Sequence, residues 1–348
     1  MNKETKENLK KEDNFMKLDN IFSSNMVFAA NKPIKVYGKG EGEITVSFAD
    51  KKAKVIAEDG RWFAEFEPMN YGGPYELKVS CENETVSLND IYIGEVYLCA
   101  GQSNIEFKMK ESNTPEELYK SNELLRYFSV DKIAENDYFS ASDGWVLCEK
   151  ETIKEWSAIG YLTGSEICDK KGVAVGIICC NQGASVIESW VPQGTFEKIG
   201  IDIPLDKKGS SHAEYEWNKH GALYDFQLSQ VFPFSVSGVI WYQGESDAFP
   251  DEGSVYLDEL CEMIKIWRKT FNDEKMKFVV IQIADYPELW EVRPPTKIGW
   301  KLVQQAQIDV SEKMENVATV ISKDICETDC IHPPTKTKLA KRIVEVLI

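Results

Sequence analysis

The sequence predicts an α/β protein in which a small antiparallel β-sandwich precedes a three-layer domain with a parallel sheet. Before about residue 90, short runs that alternate between apolar and polar residues are separated by turn signals. After that point, runs that are apolar at consecutive positions alternate with helical patterns, as expected of strands buried on both faces of a sheet. We therefore expect a flexible N-terminus at 1–17, the sandwich at 18–90 and the larger domain at 91–348.

The prediction of a sandwich is based on short strands whose length and spacing are typical of antiparallel all-β domains. Turn signals at 40–42, 59–60 and 72–74 separate them, because glycine and proline favour tight turns. The strand sequences are KPIKVYG, GEITVSFAD, RWFAEFEP and YELKVS.

The prediction of the larger domain is based on five strands and on the helical patterns between them. Two segments place apolar residues on one helical stripe, at Leu257, Leu260, Ile264 and Trp267 in the first and at Leu339, Ile343, Val346 and Leu347 in the second. The five strand sequences are EVYLCAG, GVAVGIICC, SVSGVIWYQG, KFVVIQIA and NVATVIS.

Composition excludes several classes of protein. The net charge of -17 and the lack of a basic cluster argue against nucleic-acid binding. No apolar run is long enough to predict a membrane span, and the polar N-terminus does not resemble a secretory signal. The nine cysteines are scattered without a paired spacing, which indicates reduced thiols and a cytoplasmic location. The sequence does not indicate an oligomeric state.

Polar residues follow four of the predicted elements, where an α/β sheet usually binds its ligand. Ligand sites in open α/β sheets lie beyond the carboxyl ends of the strands, so these residues are candidates for function. The four segments are GQSN at 101–104, NQGAS at 181–185, YQGESD at 242–247 and DCIHP at 329–333.

A serine and a histidine in these segments indicate nucleophilic catalysis. A serine hydroxyl needs an adjacent base, and a histidine base needs an acceptor for its other ring nitrogen. Ser103, His332 and Asp329 supply these groups. Taken singly, Ser103 and His332 are explained equally well as helix caps. Their joint position at predicted strand-to-helix junctions favours catalysis.

These segments resemble the successive blocks of SGNH-type hydrolases, and more narrowly those of the sialate O-acetylesterase group of carbohydrate esterases. GQSN, the loop from Gly183 into IESW, WYQGESDA and DCIHP carry the resemblance, which extends into the first domain through SSNMVF and DGRWFAEFEPMNYGGPYEL. It implies a flavodoxin-like fold for the larger domain. It also implies a serine esterase that uses no cofactor or metal and removes O-acetyl groups from mono- or oligosaccharides. O-acetylated sialic acids are the expected substrates, and acetylated xylo-oligosaccharides are the alternative.

The resemblance also implies a role for each residue. Ser103 is the expected nucleophile, His332 the base and Asp329 the partner that orients the histidine. The backbone N–H groups of Ser103 and Gly183 and the side-chain amide of Gln243 are the expected oxyanion hole.

Five further residues are expected near the site. Glu245 either supports Gln243 or the Gln102 loop, or replaces Asp329 as the acidic partner of His332. Trp190 either lines the cleft or packs in the core, and Arg293 either meets a sialate carboxylate or is a surface charge. Weaker substrate contacts are expected from Gln102, Asn104, Trp190 and Arg293.

Two other classes of function stay open on the sequence alone. One is a sugar-binding protein that has the same fold without turnover. The other is a metal-dependent hydrolase that uses His212 and His220, although their spacing departs from the HExxH pattern.

Overall fold

The computed structural model describes residues 16–133, 138–201, 214–292 and 294–348. Its elements form a mixed α/β fold with a mostly parallel main sheet, which confirms the predicted class. Most of the predicted flexible N-terminus lies outside the described residues. Within the described ranges, every helix is too short or too polar to cross a lipid bilayer.

Antiparallel strands make up the first part of the chain. β1, β3 and β6 form one sheet, while β4 pairs with β5 and β7. In β6 the side chains alternate between exposed and buried, as the sequence pattern predicts for a strand with one face in a core. The strands are β1 (Met16–Leu18), β2 (Val27–Ala29), β3 (Ile34–Gly40), β4 (Glu43–Phe48), β5 (Lys51–Ile56), β6 (Arg61–Phe66) and β7 (Gly72–Ser80).

One long strand, β8 (Thr85–Gly101), joins the two parts of the chain. Its first half pairs antiparallel with β7 and alternates in burial. Its second half is buried at every position, because it lies in the middle of the main parallel sheet. The change of pattern near residue 90 therefore falls within a single continuous strand.

The main sheet has the strand order β10-β9-β11-β8-β12-β13-β14. All neighbours are parallel except β10 and β9. The five predicted strands are confirmed, and β9 and β10 are additional. The strands not yet given are β9 (Asn122–Ser129), β10 (Val146–Cys148), β11 (Val175–Asn181), β12 (Gly238–Tyr242), β13 (Lys277–Ile281) and β14 (Val317–Val320).

Helices cover the sheet, and both predicted helices are confirmed. In α5 the side chains of Leu260, Ile264 and Trp267 are fully buried, as are those of Leu339 and Ile343 in α8. The helices are α1 (Ser103–Glu106), α2 (Lys150–Ile153), α3 (Ala158–Lys171), α4 (Ala222–Phe226), α5 (Pro250–Phe271), α6 (Pro287–Val292), α7 (Pro294–Lys313) and α8 (Thr337–Leu347).

The three central strands end side by side. Gly101 of β8 is in register with Asn181 of β11 and with Tyr242 of β12. The φ of Gly101 is +134°, and a Cβ added there would lie 2.1 Å from the carbonyl oxygen of Tyr242. Only glycine fits this close approach, and its conformation turns the chain out of the sheet. The polar segments after β8, β11 and β12 therefore meet at one edge of the sheet.

Candidate active site

Ser103 begins a short helix directly after the central strand. The carbonyl oxygen of Gln102 accepts hydrogen bonds from the backbone N–H groups of Ile105 and Glu106, which closes this turn. Ile105 is fully buried and anchors the turn in the core, while Ser103 stays partly exposed. An apolar strand thus ends in an accessible hydroxyl.

His332 meets Ser103 from the other end of the chain. Its Nε2 atom lies 2.7 Å from the Oγ atom of Ser103, within hydrogen-bond distance. Burial and the nearby ammonium of Lys336 lower the pKa of His332 below its ordinary value, whereas Glu111 and Glu106 oppose this shift. A lowered pKa keeps the imidazole neutral at near-neutral pH, which is the form that accepts a proton.

The described structure does not join any of the predicted carboxylates to the histidine ring. Asp329 is exposed and has no hydrogen bond to His332 among the described residues, so the structure does not support its predicted orienting role. Two other carboxylates close to His332 in sequence are also engaged elsewhere. Asp324 pairs with Arg342, and Glu327 accepts hydrogen bonds from Thr335.

The two backbone groups of the predicted oxyanion hole lie close together. A Cβ added to Gly183 would be 3.9 Å from the Cβ of Ser103, which places the loop after β11 against the serine. The same added atom would be 3.3 Å from Oε2 of Glu106. Across the described ranges, neither the N–H of Ser103 nor that of Gly183 donates a backbone hydrogen bond. These two N–H groups therefore stay candidates for the predicted oxyanion hole.

Gln243 does not fit its predicted part in the oxyanion hole. Its Nε2 atom donates to the carbonyl oxygen of Ser185 at 2.9 Å and to Oδ2 of Asp247, which uses both N–H groups. Its Oε1 atom accepts from the hydroxyl of Tyr256 at 2.8 Å. Because the side chain is 0% exposed, this amide belongs to the scaffold of the site, and the prediction of a third oxyanion donor is not supported.

Gln102 and Asn104 are also part of the scaffold, which corrects their predicted contact with substrate. Both side chains are buried. Oε1 of Gln102 accepts from the backbone N–H groups of Gly244 and Ser246, so it holds the loop after β12. Asn104 donates to Oε1 of Glu245 at 2.6 Å.

Glu245 supports the serine turn through that contact and does not touch the histidine ring in the described structure. Burial raises its pKa to about 7, although the hydrogen bond from Asn104 favours the ionised form. The structure is thus in line with a supporting role, exerted on Asn104 instead of on Gln243 or Gln102.

Trp190 packs in the core and does not line a cleft. It is 0% exposed, and its ring forms an edge contact with Trp241 at 5.7 Å between centroids. Its Nε1 atom donates to Oγ of Ser185. A side chain without exposed surface cannot contact a sugar, so the prediction of a cleft wall is wrong for this residue.

Two other predicted residues, Arg293 and His212, lie outside the described residues. His220 is described, and its Nδ1 atom lies 3.5 Å from Oε1 of Glu197. In the part of the chain that the structure describes, no three His, Cys, Asp or Glu side chains are grouped closely enough to hold a metal ion.

Lys336 is a residue of the site that was not predicted from the sequence. Its side chain is 0% exposed, and its Nζ atom donates to Oδ1 of Asn104 at 2.7 Å. A signal for this burial was present, because Lys336 precedes Leu339 and Ile343 by three and seven residues and so continues the buried stripe of α8 toward its N-terminus.

The chain is similar to several known proteins. A family model described as carbohydrate esterase, sialic acid-specific acetylesterase, matches residues 93–348. The chain is also similar to human sialate O-acetylesterase, with 25% identity over 325 residues that cover 84% of this chain and 61% of the human protein. The mouse sialate O-acetylesterase is 24% identical over 353 residues, covering 84% of this chain and 64% of the mouse protein. The chain thus spans less than two thirds of the length of these relatives.

A solved structure has the same fold. It is a carbohydrate acetylesterase from Xanthomonas citri, with a TM-score of 0.82 and 24% identity. The match covers 95% of this chain and 74% of that one. At this level of identity the similarity supports the fold alone.

Proposed function

Because the chain belongs to the sialic acid-specific acetylesterase family of carbohydrate esterases, we propose that it removes O-acetyl groups from carbohydrates by serine esterase chemistry. The observation that carries this proposal is the 2.7 Å distance between Nε2 of His332 and Oγ of Ser103. A serine beside a neutral imidazole is the arrangement that acyl transfer to a serine requires.

The first half of the reaction transfers the acetyl group to the enzyme. Oγ of Ser103 attacks the acetyl carbonyl while Nε2 of His332 takes its proton. The N–H groups of Ser103 and Gly183 stabilise the negative charge on the carbonyl oxygen. His332 then gives the proton to the departing sugar oxygen as the carbon–oxygen bond breaks.

The second half returns the enzyme to its starting state. His332 takes a proton from water, whose oxygen attacks the acetyl group on Ser103. The proton then passes to Oγ of Ser103, and acetate leaves. Each step needs the imidazole to alternate between its neutral and charged forms, which is why its protonation controls the rate.

O-acetylated sialic acids are the first substrates to test. The family description and the names of the mammalian relatives support this choice. Acetylated xylo-oligosaccharides are the second class, because the same chemistry acts on any acetylated sugar hydroxyl. Acetate release from a panel of both classes ranks them by kcat/KM.

The first experiment compares Ser103→Ala with wild type on p-nitrophenyl acetate and on this panel. We expect kcat to fall by at least about 10³-fold, since loss of the nucleophile leaves only binding and oxyanion stabilisation. Ser254→Ala is the matched control, because Ser254 is exposed and its hydroxyl only donates to the carbonyl oxygen of Asp251. Turnover that survives in Ser103→Ala contradicts the proposal, and binding of acetylated sugars without turnover by wild type would indicate a sugar-binding protein.

We further infer that the antiparallel strands before residue 90 form a β-sandwich. Val36 and Ala64 of one sheet and Val46 and Leu77 of the other are almost fully buried, and all belong to one continuous hydrophobic cluster. Hydrogen exchange tests this inference. Slow exchange of the amides in β3 and β4 is expected, and rapid exchange throughout these strands would contradict a packed core.

A further inference from the structure

Asn104, the residue after the serine, connects three separate parts of the chain. Its Nδ2 atom donates to Oε1 of Glu245 at 2.6 Å and to the carbonyl oxygen of Ile331 at 2.9 Å. Its Oδ1 atom accepts from Nζ of Lys336 at 2.7 Å. Ile331 immediately precedes His332, so this one amide ties the serine turn to the histidine loop. We call Asn104, Glu245 and Lys336 the Asn104 junction.

The lysine of the Asn104 junction lies in an unusual environment. The Nζ atom is 4.9 Å from the ring centroid of Phe107 and 5.6 Å from that of Tyr242. The two rings offer their faces to the ammonium in place of water. The Phe107 ring also lies 6.1 Å from the imidazole of His332. The ring of Phe107 thus lies near both the ammonium of Lys336 and the imidazole of His332, and Lys336 is separated from solvent.

Stability alone does not account for such a buried charge. Desolvation of an ammonium and a carboxylate offsets much of their attraction, and well-packed apolar residues of similar size often serve stability as well or better. A buried polar group with defined partners does fix a geometry, since its hydrogen bonds can be satisfied in only one arrangement. The Asn104 junction satisfies both donors and the acceptor of Asn104 with three partners from two other segments, the loop after β12 and residues 331–336.

We propose that Lys336, Asn104 and Glu245 are positioning residues that hold the histidine loop against the serine turn. In addition, Lys336 supplies a positive charge near His332. This inference rests on the proposed function and deepens it. Asn104 sets the distance between the two reacting groups through the carbonyl oxygen of Ile331. Lys336 fixes the orientation of Asn104.

The charge of Lys336 has a separate effect on His332. The groups whose charges act on the imidazole are Lys336, Glu106 and Glu111. Glu245, Glu327 and the thiols of Cys326 and Cys330 act in turn on Lys336. Removal of the ammonium removes one of the two causes that lower the pKa of His332, while burial and the two glutamates remain, so this pKa rises. The neutral base is then formed only at higher pH, so the acidic limb of the pH profile of kcat/KM moves to higher pH.

The experiment compares Lys336→Gln and Lys336→Met with a matched control, Lys35→Met. Lys35 is also a buried lysine whose Nζ atom donates to a single carbonyl oxygen, that of Phe271, but it is not part of the Asn104 junction. Lys336→Gln keeps a donor for Asn104 and removes the charge, whereas Lys336→Met removes both. Circular dichroism and urea unfolding show which variants fold.

We expect the acidic limb of kcat/KM to move upward by about half a pH unit or more in both Lys336 variants. In Lys336→Met we also expect kcat to fall about tenfold with little change in KM, because the reacting groups are misplaced. Lys35→Met is expected to change stability only. The inference is overturned if Lys336→Gln folds and the acidic limb of its pH profile of kcat/KM stays at the wild-type pH.

A second measurement does not depend on turnover. The chain has three histidines, so the imidazole signals of His332 can be assigned in NMR spectra by comparison with His332→Gln. We expect the pKa of His332 to rise in Lys336→Gln, and an unchanged pKa overturns the inference even if the chain proves to have no esterase activity. Activity that persists in Ser103→Ala would instead defeat the proposed function, so the two failures are distinct.

Discussion

Nε2 of His332 lies 2.7 Å from Oγ of Ser103, although the two residues are 229 positions apart. Two structural features produce this contact. Gly101 turns the chain out of the central strand just before the serine, and Asn104 binds the carbonyl oxygen of the residue before the histidine. A backbone turn thus positions the serine, and a hydrogen bond from the Asn104 side chain positions the histidine loop.

The pH dependence of the wild-type enzyme follows from the lowered pKa of His332. The base is active when neutral, so kcat/KM rises with pH through the pKa of His332 and then levels off. Because burial and Lys336 lower this pKa, we expect the acidic limb below the ordinary value for histidine, about 6.5. The pH profile of kcat/KM at constant ionic strength measures it. A pKa at or above that value, read from the acidic limb, would contradict a lowered pKa for His332.

Asp329→Asn tests the predicted acidic partner. Loss of an orienting carboxylate in a serine triad costs about 10⁴-fold in kcat. Since Asp329 is exposed and has no hydrogen bond to His332 among the described residues, we expect Asp329→Asn to lose less than about tenfold. Steady-state kinetics of this variant beside Glu245→Gln measures the difference. A loss near 10⁴-fold in Asp329→Asn alone would show that Asp329 does orient the histidine during the reaction.

Gly183→Pro and Gly183→Ala separate the backbone N–H of Gly183 from the shape of its loop. Proline removes the N–H, so we expect kcat to fall about 10²- to 10³-fold. Alanine keeps it, and its Cβ would lie 3.3 Å from Oε2 of Glu106, which requires only a small shift. We therefore expect Gly183→Ala to lose less than about tenfold. Equal losses in two folded variants would argue against an oxyanion role.

Gln243→Leu tests the scaffold role of this amide. The change removes the hydrogen bonds that the buried amide donates to Asp247 and to the carbonyl oxygen of Ser185, and the one that it accepts from Tyr256. We expect the free energy of unfolding to fall by about 2 to 4 kcal/mol, measured by urea denaturation. Gln305→Leu is the control, because Gln305 is exposed and bonds only Asp309. A variant as stable as this control, with a large loss of kcat, would restore Gln243 as an oxyanion donor.

Sequence patterns could predict the centre of the fold because its strands are buried on both faces. Such strands are apolar at consecutive positions, and glycine marks the turn at Gly101. The strand Asn122–Ser129 was missed since Arg126 interrupts its apolar run. The structure explains this residue, because Arg126 is buried, pairs with Asp90 at 3.0 Å and lies over the ring of Tyr92. These partners are distant in sequence and are not visible in a local pattern.

The reacting groups of the site could be predicted from the sequence, whereas the supporting residues were harder to predict. Ser103, Gly183 and His332 follow from their position after strands or before the last helix. By contrast, the sequence does not reveal which polar side chains point inward. Gln243 and Trp190 are fully buried, and Lys336 carries a charge into the interior. Their roles depend on partners that only the tertiary structure brings together.

Covalent labelling shows whether His332 activates the hydroxyl of Ser103. A fluorophosphonate reacts with a serine only when an adjacent base activates the hydroxyl, and peptide mass spectrometry identifies the residue that carries the label. We expect a label on Ser103 in wild type and its loss in folded His332→Gln. A label on another residue, or labelling of Ser103 that does not need His332, would contradict it.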